Sequence, residues 1–546
     1  VEHTRPFALP SRSPPKPPIQ GVGSLRSVIL LSFRMFRFSN GFLLRKLLGS
    51  RTRGQRCTSL QFSNACVQDV LTRYMSHEPL SLFKGRYAER CPLLFRPLPG
   101  LKLPPYLPDN VEQHPTKVTI LPNGLKVASQ DSDGPAACIG LFVDSGSMYE
   151  TEESMGTTHI LERMAFKSTR NRSHLHIVRE IEATGGNVCA SASREQMGYS
   201  YDTLKTFAPE AIEILIDSVR NPIFLDSEIK EQVAKVKTEL REISKNPQQF
   251  LLESLHVGYS GALGNPLVAP DTVLDKVDGS YVGKFYYDNY TADRMVLAAY
   301  GLDHDQLLAI TEPMLYDLQR APSLTLPQSS YVGGEIRHQE DSESTHVALT
   351  FEVQGGWHQE KYATAVTVLQ FLMGGGGSFS AGGPGKGMHS RLYLRVLNKY
   401  PKVQSIMAFS SIYNDSGLFG IHLTTGADFV AKLVEIAAAE LLAIATPGQV
   451  TEVEFQRAKN TTKSAVLMNL ESRMIVTEDI GRQILTYGSR KPVEHFLGFL
   501  DELTLDDLTT TAQMILSSKL TMACLGDANR VPSYESVSQH FQLSSA

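Results

Sequence analysis

Three polar residues in one predicted helix have the types and spacing of a metal-dependent hydrolase site. His159 and Glu162 are three positions apart, and Arg163 follows directly. In the pattern His-x-x-Glu-His, residues i and i+4 lie on one helix face, so two histidines hold a zinc ion and the glutamate acts as general base on metal-bound water. Glu239, in a later predicted helix, is a candidate third ligand. The chemistry that these residues suggest is metal-assisted hydrolysis.

Arg163 stands where this pattern requires the second histidine. A guanidinium is permanently cationic and has no lone pair for a metal. Only His159 and Glu239 then remain of the three protein ligands that a catalytic zinc site needs. We predict that Arg163 forms an ion pair with Glu239 or Glu162 instead. A peptidase with an altered ligand set is the alternative, and it would need another donor near Glu239.

We therefore interpret this as a site that has lost its zinc, with no metal ligand and no catalytic residue in use. Its vestigial positions are His159, Glu162, Arg163 and Glu239.

A second candidate site is a stretch in which eight of fourteen residues are glycine. Its residues are Gly374, Gly375, Gly376, Gly377, Ser378, Phe379, Ser380, Ala381, Gly382, Gly383, Pro384, Gly385, Lys386 and Gly387. It is not a phosphate-binding P-loop, because Gly387 follows Lys386 and position 380 is serine. Glycine loses the most backbone entropy on ordering, so we expect no helix or strand interior here. The stretch is predicted to be a mobile loop, either a flexible linker or a ligand-binding loop.

The elements that must position these residues occur in two similar halves. A strand at 137–143 followed by Ser145-Gly146 is echoed by a strand at 346–353 followed by Gly355-Gly356. The strands predicted at 294–301 and 520–526 close the two halves in the same way. This repeat predicts an α+β fold with two homologous domains, each a mostly antiparallel sheet with helices packed on one face.

The composition along the chain predicts the domain boundaries. Residues 1–77 hold twelve Lys or Arg and only two acids, which is typical of an organellar transit peptide. Met35 is a possible true initiator, with upstream sequence before it, and a disordered basic arm is the alternative interpretation. An extended lead-in follows at 78–114, then a first domain at 115–320, a linker at 321–335 and a second domain at 336–546.

Bulk properties exclude several classes of function. A net charge of −4 gives no indication of nucleic-acid binding. No apolar run approaches the roughly 20 residues of a membrane-spanning helix, so membrane association is expected only through partners. Six cysteines without a Cys-x-x-Cys pair indicate thiols in a reducing compartment.

Taken together, the vestigial motif, the glycine-rich stretch and the repeated halves resemble the α-subunit family of the mitochondrial processing peptidases, especially its plant members. The resemblance is carried by residues 159–168, 374–387 and 470–474, and it extends from about Lys117 to Phe541. It implies a pitrilysin-type fold and a non-catalytic subunit of a zinc metalloendopeptidase. A homologous β subunit is then the partner in a heterodimer, and it carries the intact motif, the zinc and the activity. This chain is expected to hold no cofactor of its own.

The resemblance also implies a location and a substrate. The glycine-rich stretch is expected to bind the presequences of imported precursors. In plants such subunits are also core proteins of respiratory complex III, peripheral on the matrix side of the inner mitochondrial membrane. Two alternatives remain open: a purely structural complex III core protein, and a self-sufficient zinc endopeptidase with altered ligands. Negative potential should steer basic presequences, but no particular acid is identified for that role.

Overall fold

The computed structural model describes residues 114–243, 246–321, 328–378 and 387–542. The predicted transit peptide, the possible initiator Met35 and the lead-in as far as residue 113 lie outside the described residues. So do residues 322–327 of the predicted linker and residues 379–386 of the glycine-rich stretch. We call residues 114–321 the first half and residues 328–542 the second half.

The first half contains seven strands and eight α-helices among its described residues. The strands are β1 (Lys117–Ile120), β2 (Lys126–Gln130), β3 (Ala136–Val143), β4 (Asn187–Ala192), β5 (Met197–Leu204), β6 (Tyr259–Ser260) and β7 (Met295–Tyr300). The helices are α1 (Thr157–Met164), α2 (His174–Thr184), α3 (Ala208–Arg220), α4 (Asp226–Ile243), α5 (Pro247–Ser254), α6 (Asp271–Leu274), α7 (Gly279–Asn289) and α8 (His304–Leu315).

The second half repeats this plan. Its strands are β8 (Ser330–Tyr331), β9 (Gly334–Gln339), β10 (Ser344–Glu352), β11 (Gly375–Gly377), β12 (Val403–Ile412), β13 (Gly417–Gly426) and β14 (Thr521–Gly526). Its helices are α9 (Glu360–Met373), α10 (Val430–Ala445), α11 (Glu452–Asn469), α12 (Arg473–Tyr487), α13 (Val493–Glu502), α14 (Leu505–Leu516) and α15 (Tyr534–Gln542), with a π-helix at Tyr393–Leu397.

Each half is built on a six-stranded sheet of the same design. The strand orders are β1-β2-β7-β3-β5-β4 and β11-β12-β13-β10-β14-β9. Every pairing is antiparallel except β2 with β7 and β9 with β14, which are parallel. The small strands β6 and β8 pair with each other. The predicted α+β fold with two homologous, mostly antiparallel sheets is therefore confirmed.

The two faces of each sheet are buried in different ways. Side chains alternate between the faces of a strand. In β3, Ile139 and Leu141 pack in a core with the helices of their own half, whereas Phe142 lies in a separate core with Val476 and Ile480 of α12. Helix α12 belongs to the second half. The prediction of helices on one face was incomplete, because the strand is apolar on both faces and both faces must be covered.

The first half covers the sheet of the second half in return. Leu251 of α5 and Leu255 just after it pack with Ala348, Phe409 and Leu525 of the second sheet. Helices α5 and α12 hold equivalent places in the repeat, since each follows a long helix, α4 and α11 respectively. The two halves thus exchange one helix each, and we call this arrangement the reciprocal helix exchange. Polar contacts support it, with Arg473 of α12 donating to both carboxylate oxygens of Asp202 at 3.2 and 3.1 Å.

One local prediction was wrong. The glycine-rich stretch was expected to contain no strand, but Gly375–Gly377 forms β11, the edge strand of the second sheet, in register with Met407, Ile406 and Ser405 of β12. The ladder of β12 stabilises this short strand despite the entropy cost of ordering glycine. Among the described residues, no helix is both long and apolar enough to cross a membrane.

Candidate functional site

Helix α1, which carries the vestigial motif, is fixed at its N-terminus by a buried carboxylate. The carboxylate of Glu150 accepts the N–H groups of Gly156 and Thr158, both at 2.7 Å. These are among the N–H groups that a helix start leaves without an intrahelical partner. Burial raises the pKa of Glu150 to about 7, although the two N–H groups oppose this shift. The helix therefore begins at a defined position, which sets the positions of His159 and Glu162 in the interior.

The structure places Arg163 against Glu239. The Arg163 Nη2 donates a hydrogen bond to Glu239 Oε1, and Nη1 lies 4.0 Å from Glu162 Oε1. The Arg163 and Glu239 side chains are only 22% and 12% exposed, so solvent screens their ion pair weakly. The predicted pairing of Arg163 with Glu239 is confirmed. One oxygen of the expected third ligand is thus already bound by a cation.

His159 has a second feature that the sequence does not reveal. Its Nδ1 accepts the backbone N–H of Ala269 at 3.2 Å. Burial, with a smaller contribution from Arg163, lowers the pKa of His159 to about 4, so the ring is neutral at pH 7. A neutral imidazole that accepts at Nδ1 carries its proton on Nε2. That protonated Nε2 faces Glu239 Oε2 at 3.9 Å, where a zinc ligand would need a lone pair.

Glu162 occupies the position of the general base, but its surroundings disfavour charge. It is 6% exposed, and burial raises its pKa to about 7, while the Arg163 guanidinium opposes the shift and the Glu239 carboxylate adds to it. A carboxyl with this pKa is largely protonated below neutral pH. In this structure Glu162 is a buried carboxyl beside the Arg163–Glu239 ion pair.

The side chains at the vestigial positions do not fit a zinc ion. The lone pair of His159 is turned to Ala269, one oxygen of Glu239 is held by Arg163, and Arg163 offers no lone pair. No group of three or more His, Cys, Asp or Glu residues that could hold a metal occurs in the part of the chain that the structure describes.

The glycine-rich stretch is anchored firmly at its first end. Gly374 ends α9 with φ +55°, and a Cβ there would lie 2.3 Å from the Ser390 Cβ. The N–H of Gly375 donates to Ser390 Oγ at 3.0 Å, and a Cβ on Gly375 would lie 2.1 Å from the Ile406 carbonyl oxygen. The N–H of Ser378 donates to the Gln404 carbonyl at 2.7 Å. Gly374 and Gly375 are therefore required by the close approach of the Ser390 side chain and of the β12 backbone, respectively.

The second end is anchored by a buried arginine. The Gly387 carbonyl accepts the N–H of Ser390 at 2.8 Å. Arg391, which follows Ser390, has a fully buried side chain. Its Nε donates to Glu440 Oε2 and its Nη1 to the Gln449 carbonyl, both at 3.0 Å. Residues Phe379, Ser380, Ala381, Gly382, Gly383, Pro384, Gly385 and Lys386 lie outside the described residues, and their role in binding stays a prediction.

The anchored ends of the stretch open into a cavity of about 1710 Å³ that both halves line. Gly374, Gly375, Gly376 and Gly387 contribute to its wall, with neighbouring residues of α9, α11, α12 and α13. The first half contributes the edge strand β4 and the turn that follows it. The vestigial cluster is not part of this lining; its helix α1 packs against β4 instead. Trp357, the single tryptophan of the chain, also lines the cavity.

The cavity wall carries balanced charge. Five acids and five lysines or arginines line it: Glu195, Glu253, Glu360, Glu478 and Asp479, with Arg194, Arg457, Arg482, Arg490 and Lys491. Four of the acids form ion pairs with four of these cations. The lining in the described residues therefore supplies no net negative potential to steer a basic peptide.

Glu195 is the lining acid with no ion pair among the described residues. It accepts the N–H of Asn414 at 2.8 Å, a contact that joins the β4–β5 turn to the second half. Burial raises its pKa to about 7, with smaller contributions from the Asp144 and Asp415 carboxylates and an opposing one from Arg482. Burial thus favours the neutral form of this carboxyl, and a nearby cation would favour the charged form.

Sequence reasoning found the anchored stretch and the vestigial cluster but missed Glu195, Trp357 and Ala269. The sequence predicts strands at 187–193 and 196–204, and Glu195 falls between them, which indicates an exposed turn. Only the second half, folded over that turn, makes it a cavity wall. No local pattern marks the Ala269 N–H either, because its partner His159 is 110 positions away.

Family models match both parts of the chain. The model described as insulinase (peptidase family M16) matches residues 126–271, and the model described as peptidase M16 inactive domain matches residues 279–462. The first match contains all four vestigial positions, and the second contains the glycine-rich stretch.

Curated relatives match almost the whole chain. A protein of Solanum tuberosum named mitochondrial-processing peptidase subunit alpha is 54% identical over 500 residues, which cover 89% of this chain and 99% of the relative. An Arabidopsis thaliana protein named probable mitochondrial-processing peptidase subunit alpha-2, chloroplastic/mitochondrial, is 56% identical over 463 residues, covering 85% and 92%. The human protein named mitochondrial-processing peptidase subunit alpha is 33% identical over 467 residues, covering 81% and 88%. With this similarity along both halves, the chain belongs to peptidase family M16 and, within it, to the mitochondrial-processing peptidase α subunits.

Proposed function

We propose that this chain is the non-catalytic, substrate-recognition subunit of a mitochondrial processing peptidase, which removes presequences from imported precursors. The observation that carries the proposal is the Arg163–Glu239 ion pair at the place where a family M16 peptidase holds its zinc. The large cavity with the anchored glycine-rich stretch in its wall supports a role in binding peptides. The names of the relatives support the same function.

The proposal includes a partner that supplies the chemistry. A homologous β subunit would carry the intact motif and the zinc, and the two chains would act as a heterodimer. The α chain contributes the residues that bind and orient the peptide. Its location would be the mitochondrial matrix, with attachment to the inner membrane through partners and a second role as a core subunit of respiratory complex III. No nucleic acid is expected among its partners.

A test is to replace residues 379–386 by Gly-Ser-Gly in the assembled complex. Gly387 lies near β11, since a Cβ on it would be 4.0 Å from the Gly375 carbonyl oxygen, and Gly-Ser-Gly gives four peptide links of about 3.8 Å each between Ser378 and Gly387. If the stretch binds presequences, kcat/KM for a presequence peptide should fall by tenfold or more, about 1.4 kcal/mol in transition-state free energy.

The control for this test is Gly448→Ala, at a glycine with φ +77° and open space around it in the α10–α11 connection. It should leave kcat/KM unchanged, and gel filtration should show that both variants assemble with the partner. Unchanged cleavage by the Gly-Ser-Gly variant would instead favour the alternative of a purely structural core protein.

A further inference from the structure

Two histidines lie side by side on the face of the second sheet that helix α5 covers. His422 of β13 and His346 of β10 have ring centroids 6.1 Å apart and ring planes inclined by 19°. Ala348 is the register partner of His422, and it packs with Leu251 of α5. His422 is only 3% exposed, so its imidazole is a polar group inside an apolar contact between the two halves.

The buried imidazole of His422 is unusual in its hydrogen bonding. Neither of its ring nitrogens has a hydrogen-bond partner among the residues that the structure describes. Buried polar atoms in native proteins are almost always paired, and an exception indicates a bound water, a bound ion or a functional role. Burial lowers the pKa of His422 to about 3 and that of His346 to about 4, so both rings are neutral at pH 7. Each ring therefore offers one nitrogen with a lone pair.

The ring of His346 is oriented by a hydroxyl pair. Its Nδ1 lies 3.0 Å from Thr424 Oγ1, which also accepts a hydrogen bond from Ser405 Oγ at 3.0 Å. When Nδ1 donates to Thr424, the lone pair of His346 lies on Nε2. Metal-binding histidines characteristically donate their other N–H to a neighbouring acceptor in this way, which fixes the tautomer and the ring orientation.

Met407 supplies a third donor on the same face of the sheet. It is the register partner of His422 in β12, and directly opposed residues have Cβ atoms about 4.5–5.5 Å apart. Its sulfur accepts a hydrogen bond from Gln248 of α5 at 3.3 Å, so the thioether lies beneath the same helix. Two imidazoles that bind one ion at about 2 Å have ring centroids roughly 5–6 Å apart, in agreement with the 6.1 Å between His346 and His422.

The types of donor indicate which ion fits. Thioethers suit soft ions such as Cu(I), and imidazole suits copper as well as zinc. None of the three side chains is anionic, so the charge of a buried ion would not be neutralised by its ligands. The Born cost of burying an ion rises with the square of its charge, which favours a monovalent ion over Zn(II). With two histidines and no carboxylate or thiolate, the donor set differs from that of a zinc site.

We propose that His346, His422 and Met407 form a binding site for one Cu(I) ion between the second sheet and α5. The ion takes one lone pair from each imidazole and one from the thioether, and no electron is transferred. It would join β10, β12 and β13, so its binding should stabilise the folded chain. The site is separate from the vestigial positions, which lie in the first half, and it does not depend on the proposed function.

The test is a Cu(I) titration of the full chain under anaerobic, reducing conditions, in competition with a chromophoric Cu(I) chelator. Cysteines are first alkylated with iodoacetamide, because thiols also bind Cu(I). We expect about one Cu(I) per chain, bound about tenfold more weakly by Met407→Leu and about a hundredfold more weakly by His422→Leu. Met468→Leu is the control, since it removes a thioether that is 68% exposed, and it should bind Cu(I) as wild type does.

Thermal unfolding separates loss of the site from loss of the fold. Without copper, Met407→Leu should keep the wild-type midpoint temperature, because the two side chains have similar volumes. His422→Leu should keep or raise it, because the change removes a buried polar group that has no partner in the described part of the chain. Added Cu(I) should raise the midpoint of wild type and of Met468→Leu, but not that of His422→Leu. If His422→Leu does not fold, Met407→Leu decides the test.

Three results would overturn the inference. Equal Cu(I) affinities in wild type and all three variants would place the ion on other donors. No Cu(I) bound in competition with the chelator would leave a buried water as the partner of His422. A higher affinity for Zn(II) than for Cu(I) would contradict the assignment of a monovalent ion to this site.

Discussion

Gly481→Val should unfold the chain at a much lower temperature than wild type. Gly481 lies in α12, the helix that the second half places on the first sheet, and a Cβ there would be 2.1 Å from Phe142 Cδ2. Phe142 is 4% exposed and is packed with Val476 and Ile480. A Cβ at this distance forces the ring or the helix to shift. Overpacking of this kind costs about 1–3 kcal/mol and sometimes more.

The effect should be large because it breaks the reciprocal helix exchange. Without α12 in place, Ala128, Phe142, Val296 and Ala298 lose their apolar cover. Differential scanning calorimetry gives the midpoint temperature of unfolding. Limited proteolysis shows whether the segment between the two halves becomes accessible to a protease. Gly498→Ala on α13 is the matched control, since nothing lies within 4 Å of its Cβ position. This control should leave the free energy of unfolding unchanged or raise it by up to about 1 kcal/mol. An unchanged midpoint for Gly481→Val would show that α12 does not hold the halves together.

Arg163→His should give zinc binding to a chain that we expect to bind none. The substitution creates His-x-x-Glu-His, frees Glu239 Oε1 from its cation, and leaves His159 Nε2 already facing Glu239 Oε2 at 3.9 Å. Three protein ligands would then be available, as in a catalytic zinc site. We expect about one zinc per chain by atomic emission after dialysis against micromolar zinc.

The affinity of this variant should stay below that of an ordinary zinc site. To bind the metal, His159 must move its proton from Nε2 to Nδ1, where the Ala269 N–H then loses its acceptor. Leaving a buried donor unpaired costs about 1–3 kcal/mol, or roughly tenfold to hundredfold in affinity. Arg163→Gln removes the same charge without adding a ligand and should bind no zinc. Zinc in Arg163→Gln, or none in Arg163→His, would contradict our reading of the site.

Sequence patterns predicted what depends on local spacing. The apolar periodicity identified α4, and the Glu239 in it does face Arg163 of α1 as expected. The repeat of strands and helices predicted two homologous sheets. These features follow from side-chain spacing along one element, so a single sequence contains the information.

What could not be predicted depends on contacts between distant segments. Strand β11 exists because β12 pairs with it, and glycine propensity alone argues against it. The tautomer of His159 is set by the backbone of Ala269, and the burial of Glu195 by the turn at Asn414. The reciprocal helix exchange leaves no local signal either, because α12 looks like any amphipathic helix until the partner sheet is known.

The measurement that tests the central claim most directly is zinc content together with presequence cleavage, on this chain alone and then mixed with a β partner. We predict no bound zinc and no cleavage by the chain alone, and cleavage once the partner is added, because Arg163 and the proton on His159 block the metal position. About one zinc per chain, with cleavage by the chain alone, would contradict this account and identify the chain as a peptidase in its own right.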